Sequence, residues 1–131
     1  MPYDVQKVND MPTQEAIDNA KQYVSSKYHR VLTLNEVKHS LSHSLPVLLG
    51  MKVFAYFEGE EIQQTGILKV PAADEEYLGN HAVLCVGFND DEKYLIVANS
   101  WGSDWDNFKG YFLMPYEYFD KYTLDKWVLE K

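Results

Sequence analysis

The sequence predicts an α+β fold, two helices followed by strands that form a mainly antiparallel sheet or partial β-barrel. Three observations predict it. Helical spacing of apolar residues occurs twice, both times before Pro46. From Pro46 onward, short apolar or alternating runs are separated by polar loops. No repeat, low-complexity tract or linker divides the 131 residues, which suffice for one modest core.

Residues 1–12 read as an extended lead-in carrying two prolines. From Thr13, an N-cap whose hydroxyl can accept an orphan backbone N–H, Ala16, Ile17, Ala20, Tyr23 and Val24 fall on one helical face. "YHRVLT" alternates as a short strand. "TLNE" at residues 33–36 is a capping box that starts a second helix bearing Leu34, Val37 and Leu41. Pro46 ends it and opens the strand "VLLGMKVFAYF". The stretch "EGEE…QQTGI" reads as a loop, followed by a short strand and the acidic loop "PAADEEYLGN". Strands are then predicted at 81–88, 94–99 and 110–114. "PYEYF" is a turn or short helix, and "KWVLE" is a last strand.

Composition narrows the function. Hydrophobic residues make up 46 % and charged ones 24 %, which fits a globular chain. The net charge of -8 argues against nucleic acid or an anionic membrane as partner, since both need basic patches. The longest apolar run, 45–55, is broken by Pro46, Gly50 and Lys52, so no membrane span is expected. The polar start "MPYDVQKVNDMP" holds no apolar signal core. A single cysteine, Cys85, excludes an intrachain disulfide and leaves the compartment open.

The chemistry concentrates in two neighbouring strands, "GNHAVLCVGF" and "IVANSWGSDW", joined by the polar loop "NDDEK". A hairpin centred on Asp90 sets His81 opposite Asn99. One centred on Asp91 makes them diagonal neighbours on the same face. Either register brings an amide oxygen beside the imidazole, which fixes the ring's tautomer and aims its other nitrogen outward. A histidine beside an asparagine is by itself a common structural pair. What sets this one apart is the string around it.

That string, "HAVLCVGF…YLIVANSWGSDW…KGYFLMPYEYF", closely resembles the C-terminal half of the papain-like cysteine peptidases. Their histidine strand reads H-A-V-x-x-V-G-[YF], their asparagine sits in N-S-W-G-x-x-W, and a G-Y-[FI] strand follows. Upstream, "MPYDV" is similar to the family's Y-P-Y stretch, "LPVLLGM" to its P-V strand and "QQTGIL" to its Y-x-G-I loop. The resemblance implies a papain-like C-terminal lobe over 1–131 and peptide-bond hydrolysis through an acyl-thioester in the complete enzyme. It implies His81 as general base and acid and Asn99 as the residue orienting its ring. Trp101 would cover their bond and flank the leaving-group side of the cleft, and the Asn80 carbonyl would contact substrate. No cofactor is implied.

The family's nucleophile is not found in these 131 residues. Its cysteine lies about 130–150 residues before the histidine, which puts it roughly 50–70 residues before Met1, with the oxyanion-hole glutamine. Cys85 cannot substitute: four residues along a strand places it about 13 Å from His81, whereas hydrogen-bond reach is about 3 Å. Within "AVLCVGF" it reads as a small buried apolar residue. The chain alone is therefore expected to be inactive and to need the cysteine-bearing lobe, a second chain or self-association. Its partner in the complete enzyme is a peptide or protein substrate.

The family usually has glycine after the second tryptophan, where Asp106 stands, so the cleft rim departs from the pattern. His29, His39 and His43 match no metal-ligand spacing, and His39 and His43 read as part of a solvated helix face. Two other readings share the fold. One is a non-catalytic module that holds peptides or a partner in the same cleft. The other is a bacteriocin-leader peptidase type, which usually carries Asp-Pro after its histidine strand where this chain has "NSWG".

Overall fold

In a computed structural model, residues 4–131 are described; the "MPY" part of the upstream likeness lies outside them. A 3₁₀ turn at Val5–Lys7 precedes α1 (Gln14–Ala20), β1 (Lys27–Arg30), α2 (Leu34–Ser42) and β2 (Val47–Phe54). A second 3₁₀ turn at Ala55–Glu58 leads into α3 (Glu60–Thr65). Then come β3 (Tyr77–Asn89), β4 (Tyr94–Ala98), β5 (Tyr111–Pro115), α4 (Tyr116–Tyr122) and β6 (Thr123–Glu130). The strands form one antiparallel sheet in the order β1-β6-β2-β3-β4-β5. The sheet stays open, with β1 and β5 at its edges. The predicted α+β class holds, and the last strand lies between the first two.

The sheet has one buried face. On β2, Val47, Leu49, Met51 and Val53 point inward, as the two-residue period of a strand requires. Opposite them lie Val83 and Cys85 of β3, Leu95 and Val97 of β4, Phe112 and Met114 of β5, and Val128 of β6. Helices and turns cover this face with Val37, Phe57, Ile62, Tyr118 and Phe119. The Tyr118 hydroxyl donates to the Lys52 carbonyl at 2.5 Å, so its polar end is satisfied inside the core.

The α2 cap forms as read: the Thr33 hydroxyl accepts from Glu36 N–H at 3.2 Å, and the Glu36 carboxylate accepts from the N–H of Thr33 at 3.0 Å and of Leu32 at 2.6 Å. Elsewhere the elements differ from expectation. α1 keeps its Thr13 cap but ends at Ala20, so Tyr23 and Val24 lie beyond it, 79 % and 64 % exposed. The expected loop after β2 holds α3, closed by Gly66 in the left-handed conformation (φ 68°). A six-residue helix is too short to show a period, and that glycine was its one sequence signal. The short strand expected next is a single parallel bridge, Ile67 to Leu113. β3 starts at Tyr77 rather than at 81, because the "YLGN" backbone pairs with the far end of β2.

Candidate active site

A bulge in β3 decides which side chains meet. Near the turn, Asn89 pairs with Tyr94 and Phe88 with Leu95. Continued unchanged, that register would set Leu84 opposite Asn99 and turn the amide to the sheet's other face. The register shifts by one residue between Cys85 and Gly87. Inward of the bulge, Cys85 meets Val97 and Leu84 meets Ala98, so Asn99, just past β4, comes level with Val83. Val83 and His81 share the buried face. His81 and Asn99 are therefore diagonal neighbours, the second of the two registers that the sequence allowed.

Their side chains meet at 2.8 Å, His81 Nε2 to Asn99 Oδ1. The Ser100 backbone N–H also donates to Asn99 Oδ1 at 2.8 Å, so that atom is the amide oxygen and can only accept. The facing Nε2 must then carry the proton, which leaves the Nδ1 lone pair on the ring's opposite edge free to act as a base. Asn99 Nδ2 is buried and has no partner among the described residues. The Asn99 backbone is held by its N–H donating to the Gly110 carbonyl at 2.9 Å.

An aromatic cluster supports the ring. Trp101 lies 4.9 Å from the His81 ring at a 31° tilt. Phe57, fully buried, contacts His81 at 6.1 Å, Trp101 at 5.1 Å, Trp105 at 5.3 Å and Phe112 at 5.1 Å. Trp101 itself is 41 % exposed, so its indole both backs the imidazole and faces solvent. Asn80 adjoins His81, and its Oδ1 accepts from the Tyr77 hydroxyl at 2.7 Å. Asn80, His81, Trp101 and Glu58 line one small cavity of about 120 Å³. Sequence reasoning missed Phe57 and Glu58; the end of the long apolar strand was their one sequence signal.

Asp106, where the likeness departs, organises the rim. Its Oδ1 accepts from the N–H of Phe108 at 3.0 Å and of Gly110 at 2.8 Å. The remaining candidates lie apart from the site. Cys85 is fully buried, its Sγ 3.6 Å from the Gly87 carbonyl, and burial pushes its pKa up to about 12. His29 lies on β1 beside Glu130 at 3.7 Å, and the rings of His39 on α2 and of His43, its C-cap, lie 4.4 Å apart. No cluster of three or more metal-ligating side chains occurs among the described residues.

Comparison with known proteins agrees with this geometry. The family described as papain family cysteine protease matches residues 1–128. An uncharacterized peptidase C1-like protein of Acanthamoeba polyphaga mimivirus is 37 % identical, the match covering 98 % of this chain and 45 % of that protein. The thiol protease aleurain of Arabidopsis thaliana is 34 % identical over 61 % of this chain and 22 % of its own length. Among solved structures, xylellain, a cysteine protease from Xylella fastidiosa, superposes with a TM-score of 0.84 at 30 % identity, covering 93 % of this chain and 46 % of xylellain. The bromelain protease of Ananas comosus shares the fold, with a TM-score of 0.58 at 22 % identity over 81 % of this chain and 50 % of that one. The chain thus spans less than half the length of the first relatives it matches, 45 % and 46 %. The chain belongs to the papain family of cysteine proteases.

Proposed function

We propose that this chain supplies the imidazole–amide half of a cysteine-peptidase active site, and that the attacking thiol and the oxyanion donors come from a lobe outside these 131 residues. The observation that carries this reading is the His81 Nε2–Asn99 Oδ1 bond of 2.8 Å, which leaves Nδ1 as the free base. Cys85 is the one cysteine of the chain, and it is buried. In the proposed reaction Nδ1 takes the proton of the incoming thiol. The thiolate attacks the peptide carbonyl, and the imidazolium returns that proton to the departing amine. Water, deprotonated by the same ring, then opens the acyl-thioester and regenerates the thiol. Asn99 keeps the ring in the required tautomer throughout, and Trp101 limits water around it.

Alone, the chain has no nucleophile and should not turn over. Removing one oxyanion donor typically costs about 10²–10³ in rate, and removing the thiol leaves nothing to acylate. The test compares the purified chain with the chain co-expressed with a native cysteine-bearing upstream segment. The expected result is no cleavage of a fluorogenic dipeptide and no labelling by a thiol-directed epoxide for the lone chain. Both should appear with the segment present, and His81→Ala should abolish turnover. Cleavage by the lone chain that survives Cys85→Ser would overturn the mechanism.

A further inference from the structure

We propose that Glu58 selects for a cationic side chain on the substrate residue whose nitrogen leaves, a specificity that rests on the reading of His81 as the general acid. Protonating that nitrogen requires it to come within about 3 Å of the imidazole. Its side chain branches from the carbon bonded to the nitrogen, so it must enter the space the imidazole lines. That space is the cavity of about 120 Å³, and the one carboxylate lining it is Glu58.

Three features suit Glu58 to this role. Its position is fixed, because it ends the 3₁₀ turn whose preceding residue, Phe57, is fully buried against the His81 and Trp101 rings. Among the described residues its carboxylate forms no ion pair. Nearby lysines are directed elsewhere: Lys69 pairs with Glu61, and Lys52 alternates with the inward Met51 and Val53 and so points to the sheet's outer face. The cavity's other walls also fit a long cationic chain. Val53 and Leu78 offer apolar contact for its methylenes, and Trp101 lines the cavity beside them. Glu60 and Asp104 line the neighbouring cavity beside Trp105, so the negative potential continues past the rim.

The carboxylate is solvent-exposed, so the preference should be modest, about fivefold, and should shrink as salt rises. The product-side peptides Lys-Ala-amide and Gln-Ala-amide carry the leaving amine and differ only in the side chain in question. Titrating each into the 131-residue chain, with the His81 imidazole resonances as readout, should show the lysine peptide binding about fivefold more tightly at low salt. Glu58→Gln should bring the two to equal affinity, and Glu58→Lys should reverse their order. Equal affinities in the unmodified chain, a ratio that survives Glu58→Gln, or no measurable binding of the lysine peptide would each overturn the proposal. In the chain completed with its cysteine-bearing segment, kcat/KM for peptides varied at the same position should follow the same ratio. Cleavage indifferent to that residue would defeat the role of Glu58 and leave the peptidase reading intact. No cleavage of any peptide would defeat the peptidase reading, while the binding ratio would still decide the role of Glu58.

Discussion

His81 and Cys85 stand four residues apart on one strand face and differ in everything that governs reactivity. The imidazole lines a cavity and is oriented by an amide, whereas the thiol is sealed among Val47, Val97 and their neighbours. A buried thiol favours its neutral form, because desolvation penalises the thiolate. With its pKa pushed up to about 12, Cys85 should resist thiol reagents in the folded chain and react at once in denaturant. The same shift links to stability. The folded state holds the Cys85 proton where the unfolded state has released it, so this contribution is complete below about pH 8.5. It is lost as pH climbs toward about 12. Urea midpoints measured at pH 7 and pH 10 should fall less with pH for Cys85→Ala than for the unmodified chain.

At the scale of the element, what the sequence shows depends on how locally a structure is stabilised. The α2 cap was legible because a hydroxyl and a carboxylate three residues apart need only each other and the backbone between them. Thr33→Ala should therefore lower stability by about 1 kcal/mol, measured as a shift in urea midpoint at unchanged slope. Backbone N–H groups of Leu32 and Thr33 hold the Glu36 carboxyl below its usual range. That support is present above the ordinary glutamate pKa and is lost as pH falls through the lowered one. β2 and β4 were legible as short apolar runs bounded by Pro46 and by polar loops, and the fold class followed from the order of the elements. α3 was not, since a single buried side chain, Ile62, anchors it and no period can be read from one residue. The facing of His81 and Asn99 was legible as one of two registers. Choosing between them depends on the bulge at Val86, and Gly87 beside it, a glycine inside a strand, is its one local sign.

Over the whole molecule, the start of the chain stands apart. Val5, Val8, Met11, Ile17, Tyr23 and Val24 are each exposed by 39 % or more, and α1 buries none of its residues. The helical part of its predicted apolar face, Ala16, Ile17 and Ala20, is left without cover in this chain, and Tyr23 and Val24 lie exposed beyond its end. Such a surface calls for a cover, whether the cysteine-bearing lobe, a second chain or another copy. The isolated chain should bind a hydrophobic dye and sediment with a concentration-dependent mass, and adding the cysteine-bearing segment should suppress both. A monomer that neither binds dye nor changes mass on dilution would count against this. The bulge at Val86 bears on how such a hairpin can vary in length among relatives. Pairing beyond the bulge, from Gly87 through the turn to Ile96, is out of step with the pairing that aligns Asn99 with His81. Residues added at the hairpin's tip lengthen it outward and leave the inner register untouched. Losing one residue at Val86 would invert the strand's parity and carry the amide away from the imidazole. The spacing in sequence between the histidine and the asparagine is thus free to drift by insertions at the tip, while the single extra residue beside Cys85 is not free to disappear.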